Sequence, residues 1–239
     1  MPKSYKICPV RHFQDSNFEQ EPFMLRPQFS LLHVPEAPQT KIFKARDAIK
    51  LEDFKSYLIE HEHEVSTYGR VNEVSFARFI RKGFIHAYQS ESRSLILLSG
   101  KKVDILDFCK TTATLPQIKI ATLQIDMKAL LAKLAEVKLV WFRFPAGMIR
   151  ASALMGDHLE STTDFKRAKA QGDISTLSFY VQDAEKTVHP ILVTNDGTIV
   201  LQDLYHSIAN EVELVLHVKR LLLDGTYREE EIKPARKKR

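Results

Sequence analysis

Short β-rich runs parted by polar turns recur from Phe84 to Leu201, and they constrain the fold more than any other feature of the chain. Phe84–Gln89, Leu95–Leu98 and Val103–Phe108 are separated by Gln-Ser-Glu-Ser-Arg and Ser-Gly-Lys-Lys, and Ile118–Ile125 follows. Val137–Phe144 and Met148–Met155 flank Pro145-Ala146-Gly147 as a hairpin. Ile174–Val181, Val188–Thr194 and Thr198–Leu201 complete the series, with Asn195-Asp196-Gly197 read as a two-residue hairpin turn, because Asp-Gly suits positive φ. Strands joined this closely pair with their sequence neighbours, so the sheet is expected to be mostly antiparallel. Helices are expected around it. Residues 45–64 place Ile49, Phe54, Tyr57 and Leu58 near one face, and 73–82 carry Val74, Phe76, Phe79 and Ile80, with Gly83 as the stop. Asp126 caps a helix over 127–136, and Gly172 ends one over Thr163–Gln171. Asp203 caps a long C-terminal helix over 203–223, with Leu204, Ile208, Val212, Val215, Leu216 and Leu222 as its apolar stripe. The fold class is therefore α+β: a mostly antiparallel sheet with flanking helices, a proline-rich N-terminal arm, a long C-terminal helix and a basic tail.

The arm is set apart by proline. Six of the ten prolines lie in the first forty residues, where Phe13, Phe18, Phe23 and Phe29 recur every five or six positions. Proline removes an amide donor and disfavours long helices and central strands. Residues 1–40 thus read as an irregular arm ending in a short strand near 29–34. Its rings either cover the chain's own core or dock on a protein partner or a second copy. Residues 41–136 follow as helices and a meander, 137–225 as hairpins and the C-terminal helix, and 226–239 as the tail. These stretches are compatible with one continuous domain.

Charge narrows the function. Lys233, Arg236, Lys237, Lys238 and Arg239 equal the whole net charge of +5, so the rest of the chain is balanced. A nucleic-acid-binding surface ordinarily carries its cations as a folded patch, whereas here a neutral body trails a basic hook. Eight widely spaced glycines rule out Gly-rich phosphate loops, and no G-x-S-x-G elbow is present. Cys8 and Cys109 form no C-x-x-C, and no cofactor or metal is implied. No signal peptide or transmembrane run is seen, which points to the cytoplasm, or to the nucleus if the host is a eukaryote, the tail then serving as an import peptide.

Several groups carry side chains suited to chemistry. His61-Glu62-His63-Glu64 places two histidines on one face only if the segment is a strand. At the end of the expected helix, and without H-E-x-x-H spacing, it reads as a solvated polar cap. Asp126 with Glu136 and Lys138 has the composition of a nuclease acid/E-x-K layout, but the helix expected between them separates the two parts. Asp157, His158 and Glu160 cluster after Gly156 and suit either acid–base work or a polar loop before a helix. Arg78, Arg81 and Lys82 lie on adjacent turns of the expected helix, where they would meet phosphates. Trp141 and Arg143 share one face of a strand that turns Phe142 and Phe144 the other way, as a base-stacking surface requires. The resulting expectation is a non-enzymatic nucleic-acid-binding or assembly protein, using Arg78, Arg81, Lys82, Trp141, Arg143 and the basic tail. The alternatives are a subunit docking through its phenylalanine arm and a metal-dependent hydrolase or nuclease.

Overall fold

A computed structural model describes residues 2–19, 23–24, 35–36, 38–45, 51, 53–71, 74–113, 115–145, 150–183, 185–203, 205 and 207–232; at 23–24, 35–36, 66–71 and 74–79 it describes the backbone alone. The expected strand near 29–34, Phe29 and the basic residues Lys233, Arg236, Lys237, Lys238 and Arg239 lie outside the described residues. In chain order the strands and helices are β1 (Lys3–Phe13), β2 (Phe18–Glu19), β3 (Phe23–Met24), β4 (Pro35–Glu36), β5 (Gln39–Lys44), β6 (Phe54–Val71), β7 (Val74–Ser90), β8 (Leu95–Gly100), α1 (Lys102–Thr112), β9 (Ile118–Ile125) and α2 (Met127–Lys133). Then come β10 (Leu139–Arg143), β11 (Ala151–Met155), α3 (Thr163–Gln171), β12 (Asp173–Gln182), β13 (Val188–Thr194), β14 (Thr198–Leu201), α4 (Ile208–Val218) and β15 (Tyr227–Glu231). The sheet is largely antiparallel with short helices, as the α+β expectation requires. No helix among the described residues is long and apolar enough to cross a membrane.

The chain divides into two compact units. The first comprises Met1–Pro9, Ile49–Glu52 and Ala121–Glu231. Its strands run in the order β11, β10, β12, β13, β14, β1, and β15 pairs with β9. Phe142, Leu177, Phe179, Ile191, Val193 and Ile199 form its core, and Phe165 of α3 meets the edge of the Phe142 ring at 5.8 Å. Two buried charges are tied in. Glu211 of α4 accepts hydrogen bonds from the Tyr5 hydroxyl and, at 2.7 Å, from Lys3 Nζ. Lys6 Nζ donates to the Asp196 carbonyl at 2.6 Å.

The second unit comprises Val10–Ala48, Asp53–Ile120 and Ile232–Arg239. Its frame is the β6–β7 hairpin, paired from Phe54↔Ser90 to Val71↔Val74 with one irregularity between Ser66 and Gly69. β5 flanks β6 and β8 flanks β7. α1 lies against β6, β7 and β8, with Ile59, Ile85, Leu97 and Phe108 buried in this unit.

Across the two units the structure departs from five expectations. The expected helices over 45–64 and 73–82 give way to strands: 54–64 lie in β6 and 74–82 in β7, while 46–50, 52 and 73 lie outside the described residues. The inward face of β6 is Tyr57, Ile59, His61 and His63, and that of β7 is Gly83, Ile85 and Ala87. Histidines and a glycine on the buried side, with Phe84 outward, hide the period-two signal behind a chance helical spacing of aromatics. The expected strand over Val103–Phe108 is helix α1, whose buried Ile105, Phe108, Cys109 and Thr112 fall at i, i+3, i+4 and i+7. The long C-terminal helix is overturned: α4 is an eleven-residue helix capped by Ser207, whose Oγ accepts from the Asn210 amide at 3.2 Å, and a wide π turn over Lys219–Leu223 ends it. At the head of the stretch read as tail, Tyr227–Glu231 is strand β15.

The C-terminal hairpins hold more closely. Asp126 Oδ1 caps α2 through the amides of Lys128 and Ala129, both at 3.0 Å. The Asn195-Asp196-Gly197 connection is a three-residue loop rather than two, with Gly197 at φ +77 and its amide bonded to the Thr194 carbonyl. A Cβ on Gly197 would lie 2.8 Å from Leu123 Cβ. Gly197→Ala therefore combines left-handed strain with a backbone-level clash, and we expect a stability loss of about 2 kcal/mol. Urea midpoints for the two proteins check this; coincident curves would mean that the loop carries neither constraint.

Candidate functional site

β10 presents opposite chemistry on its two faces. Phe142 points inward and is fully buried, while Trp141 is 44% exposed and Arg143 is exposed on the other side. Trp141 stands opposite Ala153 of β11 and Thr176 of β12, so small neighbours leave its ring uncovered. Leu139, one step along the same face, lies opposite Met155, which is 80% exposed. Tyr180 of β12 is 56% exposed, and Lys138 Nζ lies 5.8 Å from its ring centroid. Arg143 lies opposite Ala151 and Asp173, and exposed Arg150 adjoins it through a bond from the Phe144 amide to the Arg150 carbonyl at 3.0 Å. Asp173 offsets Arg143, so this face is aromatic but nearly neutral.

The acidic candidates are partly brought together. Lys138 Nζ donates to Glu136 Oε1 at 2.8 Å and to Asp157 Oδ1 at 2.6 Å. Those bonds hold the Lys138 ammonium above its ordinary range and both carboxyls below theirs. Asp126 is occupied in capping α2, and no hydrogen bond or ion pair joins it to Glu136, Lys138 or Asp157 among the described residues. α2 separates it from the E-x-K segment, as the sequence suggests. His158 is exposed in a left-handed conformation, its carbonyl accepting from Ser161, and Glu160 sits in the following short turn. Glu136, Lys138 and Asp157 thus form a partly exposed ion-pair triad.

The basic stretch on β7 is divided by the strand it occupies. Arg81 turns toward Asp104, with Nη2 3.7 Å from Oδ1, whereas Lys82 on the opposite face meets Glu60 at 3.3 Å and Glu62 at 3.9 Å. Arg78 is a backbone position on Lys82's side of the strand, so the three cations form no common basic face. In the arm, Phe13 is half-buried and packs on the Tyr57 ring at 5.3 Å, Phe18 pairs with Thr40 in β2, and Phe23 is opposite Glu36 in β3.

Two groups built around buried histidines are brought together only by the fold. In the first unit, His189 Nε2 lies 2.9 Å from Asp183 Oδ2 and its Nδ1 3.5 Å from Asp203 Oδ2. The His189 bond holds the Asp183 carboxyl low, and burial beside Asp203 pushes the Tyr205 hydroxyl up to about 12. Pro190 is tolerated in this inner strand because β14 pairs only from Ile191 onward. In the second unit His61 and His63, read as a solvated cap, are buried on one face of β6 beside Asp104 and Asp107 of α1. The signal was present as H-x-H at strand spacing and D-x-x-D at helix spacing, but each lay in a segment read as the other type.

The Lys138 triad yields a test with a definite sign. Carboxyls whose folded-state pKa is depressed contribute stability above the unfolded value and lose it as pH falls through the folded one. We expect the stability difference between wild type and Lys138→Met to shrink from pH 6 to pH 2 and to be smaller in high salt. The Asp157 carboxyl, followed by NMR, titrates higher in the variant; an unmoved titration would show that the pair is not formed. No protein-family model matches the chain, and no curated protein shows significant similarity to it.

Proposed function

We propose that this protein is a non-enzymatic nucleic-acid-binding protein that takes a single strand on the open face of β10. The observation that carries the reading is Trp141: a regular strand buries Phe142 completely and leaves the neighbouring tryptophan uncovered beside Arg143. Every base has a π-face, so an exposed indole with a guanidinium on the same face suits stacking without sequence preference. Tyr180 offers a second ring on that face. Because Asp173 offsets Arg143 there, the long-range attraction is assigned to the basic run Lys233, Arg236, Lys237, Lys238 and Arg239. Arg81 and Lys82, each facing carboxylates of its own unit, leave the proposed contact set. Cys8 and Cys109 are buried and form no disulfide, which suits a reducing compartment such as the cytoplasm.

Trp141 is the chain's single tryptophan, so its own fluorescence reports stacking. Titration with unlabelled oligo-dT and oligo-U should quench it, and Trp141→Ser should weaken binding by about 1–3 kcal/mol in an anisotropy assay. A chain ending at Ile232 should lose about 3.5 from the log–log salt slope, since five cations go and single strands contribute roughly 0.7 per neutralised phosphate. An unquenched tryptophan with no binding in low salt overturns the proposal. A mass above 27.5 kDa by sedimentation that falls in Trp141→Ser would then assign the same face to assembly.

A further inference from the structure

We propose that His61, His63, Asp104 and Asp107 form a binding site for one first-row divalent transition-metal ion, zinc by donor set, which ties β6 to α1. This inference is independent of the nucleic-acid reading. Alternation along β6 sends both imidazoles to the side on which α1 packs, and the two aspartates, three apart on α1, occupy one face of that helix. The imidazole rings are stacked, with centroids 6.0 Å apart and planes at 20°. His61 Nε2 is 3.1 Å from Asp107 Oδ2, and His63 Nε2 is 3.8 Å from Asp104 Oδ1. Donor atoms of His61, His63 and Asp107 all lie within 4.8 Å of one another. A tetrahedral ion with bonds of about 2.0–2.1 Å spaces its donors about 3.3 Å apart, so side-chain rotations bring these three onto one ion, with Asp104 beside His63 as the fourth donor.

Burial separates this group from an ordinary ion-pair cluster. His61 is 0% exposed, Asp104 1% and His63 4%. Among the described residues, neither ring nitrogen of His63 has a hydrogen-bond partner, and Asp104 Oδ1 has none either. Buried polar atoms are nearly always satisfied, and a metal ion is a partner that would satisfy both residues at once. His61 is already held as a ligand would be: Thr40 Oγ1, 2.8 Å from Nδ1, orients the ring and leaves Nε2 toward Asp107. Opposite His61 stands Gly83, and a Cβ there would fall 2.4 Å from Asp104 Cγ. The absent side chain is what lets the carboxylate reach the histidines. Two imidazoles with two carboxylates suit zinc and its neighbours, whereas calcium and magnesium call for oxygen alone. Arg81 and Lys110 are the cations beside the carboxylates, Arg81 at 3.7 Å from Asp104 Oδ1. Four protein donors make a closed set, so the ion's role is to hold the strand and helix together.

The test uses the full chain stripped with a chelator and titrated with zinc chloride against a chromogenic competitor. One equivalent should bind, with affinity lowered at least a hundredfold in His63→Gln and in Asp107→Asn. His86→Gln, on the exposed opposite face of β7, should bind as wild type does. Zinc-edge X-ray absorption on the wild-type complex should show imidazole nitrogen at about 2.0–2.1 Å. That measurement decides the matter if circular dichroism shows a variant unfolded. Absence of binding by the wild type, a spectrum without imidazole, or a folded His63→Gln that binds as tightly as wild type overturns the site.

Discussion

Over Tyr57–His63 and Gly83–Ala87 of the β6–β7 ladder every second side chain enters the core of its unit, and a slip of one residue would exchange the two faces. Tyr57 and Ile59 enter with His61 and His63, and across from them Ile85 and Ala87 enter with Gly83. The apolar residues alone favour this register. Once adopted, it commits two imidazoles to the interior. α1 brings Asp107 within 3.1 Å of His61 but leaves Asp104 3.8 Å from His63, while Ile105 and Phe108 of the same helix go into the core.

In the first unit Glu211 has both Tyr5 and Lys3, and Lys6 has Asp196, so these inward charges meet committed partners. Among the described residues His63 and Asp104 Oδ1 lack a hydrogen-bond partner, as do His189 Nδ1 and the Tyr205 hydroxyl in the first unit, and a group left unsatisfied costs about 1–3 kcal/mol. Two such groups a few ångströms apart suggest one missing partner rather than two separate losses. On the opposite principle, Trp141 is an apolar group left outside while the fold had inward positions to offer on the same strand. Among the described residues the buried histidine–aspartate group and the uncovered Trp141 both depart from simple partitioning, and the two proposals above rest on them.

The hairpins of the C-terminal half were legible because local chemistry and tertiary structure agree there. Asp126 caps the helix that follows it, Thr163–Gln171 is helical over the expected span, and Trp141 and Phe142 face opposite ways as strand alternation requires. Residues 45–64 and 73–82 were misread for a physical reason: the aromatic spacing mimics a helical stripe, while the buried side of the strands contains His61, His63 and Gly83 in place of apolar residues. Val103–Phe108 was misread in the opposite sense, since Asp104 buried beneath α1 broke its helical pattern into an apparent alternation.

What the sequence by itself determined is the inventory and the local grammar: a balanced body with five cations at its end, short strands with their turns, capping residues, and the identity of each possible ligand. Those follow from backbone preferences and side-chain chemistry that act within a few residues. Only the tertiary structure decided which polar residues are buried and whom they meet. His61 and Asp107 are 46 positions apart and come within 3.1 Å because strand register and helix packing bring them there. Register and packing depend on the sum of many apolar contacts across the unit, and no short window of sequence contains that sum.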